Sequence, residues 1–252
     1  MVEEGWLCEP GVAIWGEIGS TDLVVFLGGL GDTLHSIDYV PGLKAVLKKL
    51  NWSFVHLLPR SAGPNYGLYR LGHDSQDILS GLRFLQAKYS LKNIVLLGHS
   101  TGCQDILHTD LPSLVKGIIL QAPVSDRQGL SDPHICELMP VAIREPQRLF
   151  KLDDLLISGE RLYSLYGIGG ADDMFSSDLN EYPYLAQIAL PTLILYSDQD
   201  EYVPQSVNKV ALLEKWSQIN PNLSCHLIQG MHSPSISELD CLITNFLIKH
   251  FS

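Results

Sequence analysis

Short, nearly unbroken apolar runs recur along this chain: Leu23–Leu27 (LVVFL), Phe54–Leu58 (FVHLL), Ile94–Leu97 (IVLL), Gly117–Leu120 (GIIL), Thr192–Tyr196 (TLILY) and Cys225–Ile228 (CHLI). Each is four or five residues long, and several are rich in β-branched side chains. Such runs suit strands buried on both faces, the habit of parallel sheets covered by helices. Between them the spacing turns helical. Ile78, Leu79, Leu82 and Leu85 place an apolar stripe on a helix over roughly 74–89. Near the C-terminus Ile236, Leu239, Leu242, Ile243, Phe246 and Leu247 do the same, with Ser235 and Glu238 as a capping box behind Pro234. The alternation predicts a parallel α/β architecture with right-handed crossovers. Trp6–Trp15, around Pro10–Gly11, reads as an antiparallel hairpin at the sheet edge.

One interval breaks this rhythm. From about 124 to 189 there are short helical pieces interrupted at Gly129, Pro133, Pro140, Pro146 and Gly167–Gly170. That is too long for an ordinary connection and too apolar for a linker, so a lid over the strand ends is expected, inserted within a single domain spanning 1–252. With 46% hydrophobic and 18% charged residues the chain can bury a sizeable core.

The 17 Lys and Arg against 28 Asp and Glu leave a net charge of −11, and Lys48–Lys49 is the densest basic spot. Such a surface repels phosphate backbones and anionic lipid, so neither nucleic acid nor a membrane is an expected partner. The N-terminal residues lack a signal-peptide pattern, and no stretch approaches the ~18 apolar residues of a membrane span. The five cysteines, Cys8, Cys103, Cys136, Cys225 and Cys241, are scattered and free of CxxC spacing. They read as reduced core thiols of a cytoplasmic protein. The composition says nothing of oligomeric state.

The text that carries chemistry is Gly98–His99–Ser100–Thr101–Gly102, a GxSxG between the IVLL run and a helix-compatible CQDIL. In a nucleophile elbow the serine occupies a strained strand-to-helix turn, and the flanking glycines leave room for it. Partners follow in the order Ser, Asp, His. Asp198 and Asp200 both follow the TLILY run; Asp200, in Asp-x-x-Val-Pro, is the expected acid, and Asp198 a turn or capping residue. Of nine histidines, His232 is the expected base, since it stands last in that order, directly after the CHLI run in Gln229–Gly230–Met231–His232. His56 and His226 lie within strand runs, and His99 is expected to pack rather than titrate. An oxyanion hole needs two backbone amides. Thr101, after the nucleophile, offers one; Leu30, in Gly28–Gly29–Leu30–Gly31–Asp32, offers the other.

That glycine loop fails as a nucleotide motif. Leu34 stands where a Rossmann fingerprint needs a third small residue, and no Gly-Lys-Ser/Thr follows. No HExxH or paired-cysteine ligand set exists, so neither metal nor cofactor is expected. Asp153–Asp154 and Asp172–Asp173 read as solvated loops. Tyr163, Tyr166 and Phe175 suit a pocket lining or a core equally.

On these residues the chain resembles the α/β-hydrolase superfamily over almost its full length. More narrowly it resembles a eukaryotic family that includes fungal esterases of fusarinine-type siderophores, through Phe26–Asp32 (FLGGLGD), Gly98–Asp105 (GHSTGCQD), Ala122–Arg127 (APVSDR), Asp172–Asp178 (DDMFSSD) and Asp200–Pro204 (DEYVP). The resemblance implies a serine hydrolase of small-molecule carboxylic esters with Ser100, Asp200 and His232 as its triad. Gly28 stands where the superfamily often has His. A thioesterase, amidase or lactonase would use the same parts. A non-catalytic ligand- or protein-binding scaffold is the competing reading, and a complete triad speaks against it.

Overall fold

The computed structural model describes residues 4–130 and 132–251. Ten strands lie in it: β1 (Glu4–Cys8), β2 (Val12–Glu17), β3 (Asp22–Leu27), β4 (Ser53–Leu58), β5 (Asn93–His99), β6 (Val115–Gln121), β7 (Leu149–Leu152), β8 (Leu155–Ser158), β9 (Thr192–Ser197) and β10 (Leu223–Ile228). Eight form one sheet in the order β1-β2-β4-β3-β5-β6-β9-β10. From β4 to β10 all neighbours are parallel, while the β1–β2 hairpin joins β4 antiparallel.

The apolar runs are unbroken because successive side chains enter different cores. Along β3, Leu23, Val25 and Leu27 join one cluster while Val24 and Phe26 join the other. Ile94 and Leu96 against Val95 and Leu97 repeat the division along β5. The first core is covered by α2 (Leu71–Lys88), α3 (Gly102–His108) and α8 (Lys209–Ile219), the second by α1 (Val40–Lys49) and α9 (Ile236–Phe251). Helix α2 starts three residues before the expected position 74, with Leu71 buried in its first turn, and Asp74 and Asp77 also face inward. Helix α9 buries Leu239, Ile243, Phe246 and Leu247 as the stripe requires. At its start the Glu238 amide donates to the Ser235 carbonyl, and the Ser235 hydroxyl meets that of Ser237 at 2.7 Å.

The stretch between β6 and β9 holds α4 (Asp126–Gly129), α5 (Pro133–Arg144), the antiparallel β7–β8 hairpin, α6 (Gly159–Tyr166) and α7 (Pro183–Ala186). It has a small core of its own, in which Ile135, Ala142, Phe150, Ile157, Leu162 and Leu165 meet. Pro140 does not break α5; the helix runs through it. Asp153–Asp154 form the turn of the hairpin, with Asp153 at φ 51°. Asp172 is not a solvated loop residue but is 1% exposed, its carboxylate held by Arg161 Nη1 at 2.8 and 3.0 Å. All five cysteines are free. Cys8 and Cys103 are buried and Cys225 half-buried, whereas Cys136 and Cys241 lie at the surface rather than in the core. Among the described residues no helix is long and apolar enough to cross a membrane.

Candidate active site

The carboxyl ends of β3, β5, β6, β9 and β10 converge, which is where open parallel sheets present their loops to ligands. Ser100 follows β5 directly and has φ 54°, a left-handed conformation rare outside glycine. Its amide donates to the Gln121 carbonyl at 3.0 Å, and its carbonyl accepts from the Cys103 amide at 2.9 Å, so the turn is pinned to β6 and to α3. The two glycines are steric necessities. A Cβ on Gly98 would lie 2.5 Å from the Gly102 carbonyl oxygen, and one on Gly102 would lie 2.6 Å from that of Leu27.

Asp200 and His232 come from the loops after β9 and β10, whose strands are adjacent and parallel. His232 Nδ1 lies 2.8 Å from Asp200 Oδ2, with both residues buried. The other carboxylate oxygen accepts from the Tyr202 amide at 3.0 Å. An acceptor-only carboxylate at Nδ1 fixes the proton there and leaves Nε2 as the basic nitrogen. Asp198 Oδ1 instead accepts from the Gly230 amide at 2.9 Å.

Ser100 and His232 line one cavity of about 370 Å³ with Gly29, Leu30, Asp32 and His99 on the sheet side. The segment after β6 contributes Val124, Ser125, Asp126, Gly129, Leu130, Asp132 and Tyr166. Leu30 thus reaches the cavity. Thr101 is buried at the entry to α3 and lines a small void of about 20 Å³ behind the glycine loop, together with Gly28–Leu30. Gly29 packs directly on the nucleophile candidate, since a Cβ there would sit 2.7 Å from Ser100 Cβ. Its amide is occupied, donating to Asp32 Oδ2 at 2.6 Å. Tyr163 turns its hydroxyl to the Ile168 carbonyl, and Phe175 packs on Trp216 in the core; of these three aromatics Tyr166 alone lines the cavity.

Three residues that hold this site escape sequence reading. Gln121, wholly buried at the end of β6, donates from Nε2 to the His232 carbonyl at 3.1 Å. Its Oε1 accepts from the Tyr39 hydroxyl at 3.1 Å and from His99 Nδ1. Glu201 accepts the His232 amide at 2.8 Å. Tyr202, 56% exposed, lays its ring against the imidazole with centroids 4.7 Å apart. The only forewarning of Gln121 is a polar residue closing an apolar run.

Burial drives the electrostatics. His99, enclosed beside the His232 ring at 4.9 Å between centroids, is pushed down to about 3 by desolvation and by that neighbour, and stays neutral. Burial raises the Asp32 carboxyl, against the Gly29 amide and His232, which lower it. Asp126 is pushed up to about 7 by burial and by the Asp172 charge.

A serine at positive φ that shares a cavity with a carboxylate-held imidazole has the parts for nucleophilic attack on a carbonyl. The family model described as "Protein of unknown function (DUF1749)" matches residues 13–232. Similar proteins include UPF0613 protein PB24D3.06c of Schizosaccharomyces pombe, 30% identical over 247 residues, covering 83% of this chain and 78% of that protein. Fusarinine C esterase sidJ of Aspergillus fumigatus is 29% identical over 264 residues, covering 77% and 75%. Among solved structures, siderophore hydrolase EstB from Aspergillus fumigatus superposes with a TM-score of 0.77 at 23% identity, over 99% of this chain and 97% of that one. The fold shared with it is the α/β-hydrolase fold. Because the family match runs unbroken from β2 through the elbow to His232, this chain belongs to the family described as "Protein of unknown function (DUF1749)".

Proposed function

We propose that the protein is a serine esterase acting on a small-molecule carboxylic ester through an acyl-enzyme. The observation that carries this reading is the 2.8 Å Asp200–His232 pair, whose imidazole lines one cavity with a serine at positive φ. Ser100 Oγ attacks the ester carbonyl as its proton passes to His232 Nε2, and Asp200 stabilises the imidazolium. The carbonyl oxygen becomes an oxyanion held by the Leu30 and Thr101 amides. Collapse expels the alcohol, which takes the proton from His232. Water then attacks the acyl-Ser100 ester with His232 as base, releasing the acid and restoring the serine.

The 124–189 segment serves as the lid, since it supplies a cavity wall from a small core of its own. Ester cleavage is supported by the esterases among the relatives. The cavity of about 370 Å³ suits a small acyl group. A cytoplasmic location is supported by the free cysteines, two of them exposed. The test is hydrolysis of short p-nitrophenyl esters. Wild-type protein turns them over, and Ser100→Ala lowers kcat on the order of 10⁶-fold while leaving the fold intact. Equal turnover by the variant refutes the reading.

A further inference from the structure

Asp126 stands in the cavity with Ser100 and His232 but has no part in the steps above. It opens α4, is half-buried, and reaches the cavity from the segment after β6. Its Oδ2 accepts from Gln104 Nε2 at 3.3 Å. Gln104 is wholly buried and donates also to the Val124 carbonyl at 3.2 Å, so the carboxyl is oriented by a fixed amide.

What surrounds Asp126 decides which form of the carboxyl meets a ligand. From α6 comes Arg161, 2% exposed, but its Nη1 is engaged by both oxygens of Asp172. The Asp172 charge opposes ionisation of Asp126, while Arg161, the Asp126 amide and His232 favour it. Burial raises the Asp105 carboxyl on α3 well above the usual carboxylate range, and the negative charges of Asp74 on α2, Asp172 and Asp126 raise it further, against Arg161. The Tyr66 and Tyr166 hydroxyls are raised by burial and remain neutral donors. Asp32 and Asp132 face the same cavity, and among the described residues no Lys or Arg lines it. Desolvation is the largest cause, and it leaves Asp126 titrating at about 7.

We propose that Asp126 is a specificity-determining residue that touches substrate: its carboxyl O–H donates a hydrogen bond to an ether or carbonyl oxygen on the acyl chain of the ester. This rests on the esterase reading of the cavity. A site built to pair a polar group discriminates against the analogue that lacks it, because one partner is then left buried and unpaired. The preferred substrates are oxygenated acyl esters rather than plain aliphatic ones. Above neutrality the donor is lost, and the carboxylate repels the same oxygen. Asparagine offers an N–H donor at every pH; alanine offers none.

The experiment compares p-nitrophenyl 4-methoxybutanoate with its isostere p-nitrophenyl hexanoate, reading the ratio of kcat/KM from about pH 5 to about pH 9. In the wild type the ratio is about tenfold on the acid side and falls toward one as pH rises through 7. Asp126→Asn keeps the preference and flattens its pH dependence, whereas Asp126→Ala brings the ratio close to one throughout. A wild-type ratio independent of pH, or one unchanged in Asp126→Ala, overturns the proposal. Carboxyl ¹³C titration, with the signal assigned by its loss in Asp126→Asn, supplies a readout independent of turnover. A midpoint near 7 is expected, and one at the ordinary carboxylate value overturns the proposal even if esters are cleaved. If neither ester is hydrolysed, the esterase reading itself fails and the role of Asp126 with it, whatever the titration shows.

Discussion

Ser100 and Asp200 illustrate how much depends on single atoms. His232 is held at three points, its imidazole by Asp200 at Nδ1 and its backbone by Glu201 at the amide and Gln121 at the carbonyl. Replacing Asp200 by Asn presents an N–H₂ or a neutral oxygen to Nδ1, so the tautomer with a basic Nε2 is no longer enforced. Asp200→Asn is therefore expected to lower kcat by about 10⁴-fold, as in other serine triads. Asp198→Asn retains an oxygen for the Gly230 amide and is expected to stay within about threefold of wild type. Steady-state kinetics of the two variants checks this, and the reverse order would place the acid two residues earlier. The strand-end position and Asp-x-x-Val-Pro spacing made the Asp200 geometry legible in advance. Gln121 was not legible, because its role depends on Tyr39, His99 and His232, which only the folded sheet brings together.

At the scale of elements, the elbow is a contact between backbones. Gly102 lies against the Leu27 and Gly28 carbonyls, at 2.6 and 2.7 Å from where a Cβ would be, so α3 packs on β3 with no side chain between them. Gly102→Ala forces strand and helix apart. It is expected to destabilise the fold by about 1–3 kcal/mol and to abolish turnover by displacing Ser100. Denaturant unfolding together with hydrolysis measures both; a variant of wild-type stability and activity would show that the contact is not tight. The strands were legible because each run feeds two cores. The β7–β8 hairpin was not: LFKL and LLIS each span four residues and flank Asp153–Asp154, a pair that reads as a solvated loop. Pro140 reads as a helix break, yet packing of α5 against Ile157 and Leu162 carries the helix through it.

For the whole molecule, the segment after β6 is tied back to the body through buried charge and close backbone packing. Arg161 Nε donates to the Tyr66 carbonyl at 3.1 Å while Nη1 holds Asp172. Beside it Gly67 abuts β8, 2.1 Å from the Leu156 carbonyl oxygen to where a Cβ would be. Arg161→Met removes the cation that offsets Asp74, Asp105, Asp126 and Asp172, and is expected to cost about 3–5 kcal/mol near neutrality. The loss has a pH signature. Asp74 and Asp126 titrate at about 6 and about 7 in the fold, above their unfolded values, so the native state binds the extra protons. Their unfavourable contribution is absent at acid pH and appears as pH rises through those values. The stability difference between Arg161→Met and wild type is thus expected to shrink between about pH 7 and about pH 5. A difference independent of pH would contradict it. The sequence could not disclose this cluster, because its carboxylates lie on α2, α3, α4 and the 172 loop, far apart along the chain.

The central claim is that Ser100 is an activated nucleophile, and covalent labelling by a fluorophosphonate probe with the adduct mapped by mass spectrometry tests it most directly. The expected result is a single adduct on Ser100 in folded protein, absent after heat denaturation and absent in Ser100→Ala and His232→Ala. Adduct on another residue, or none on folded wild-type protein that is shown to hydrolyse esters, would contradict the account.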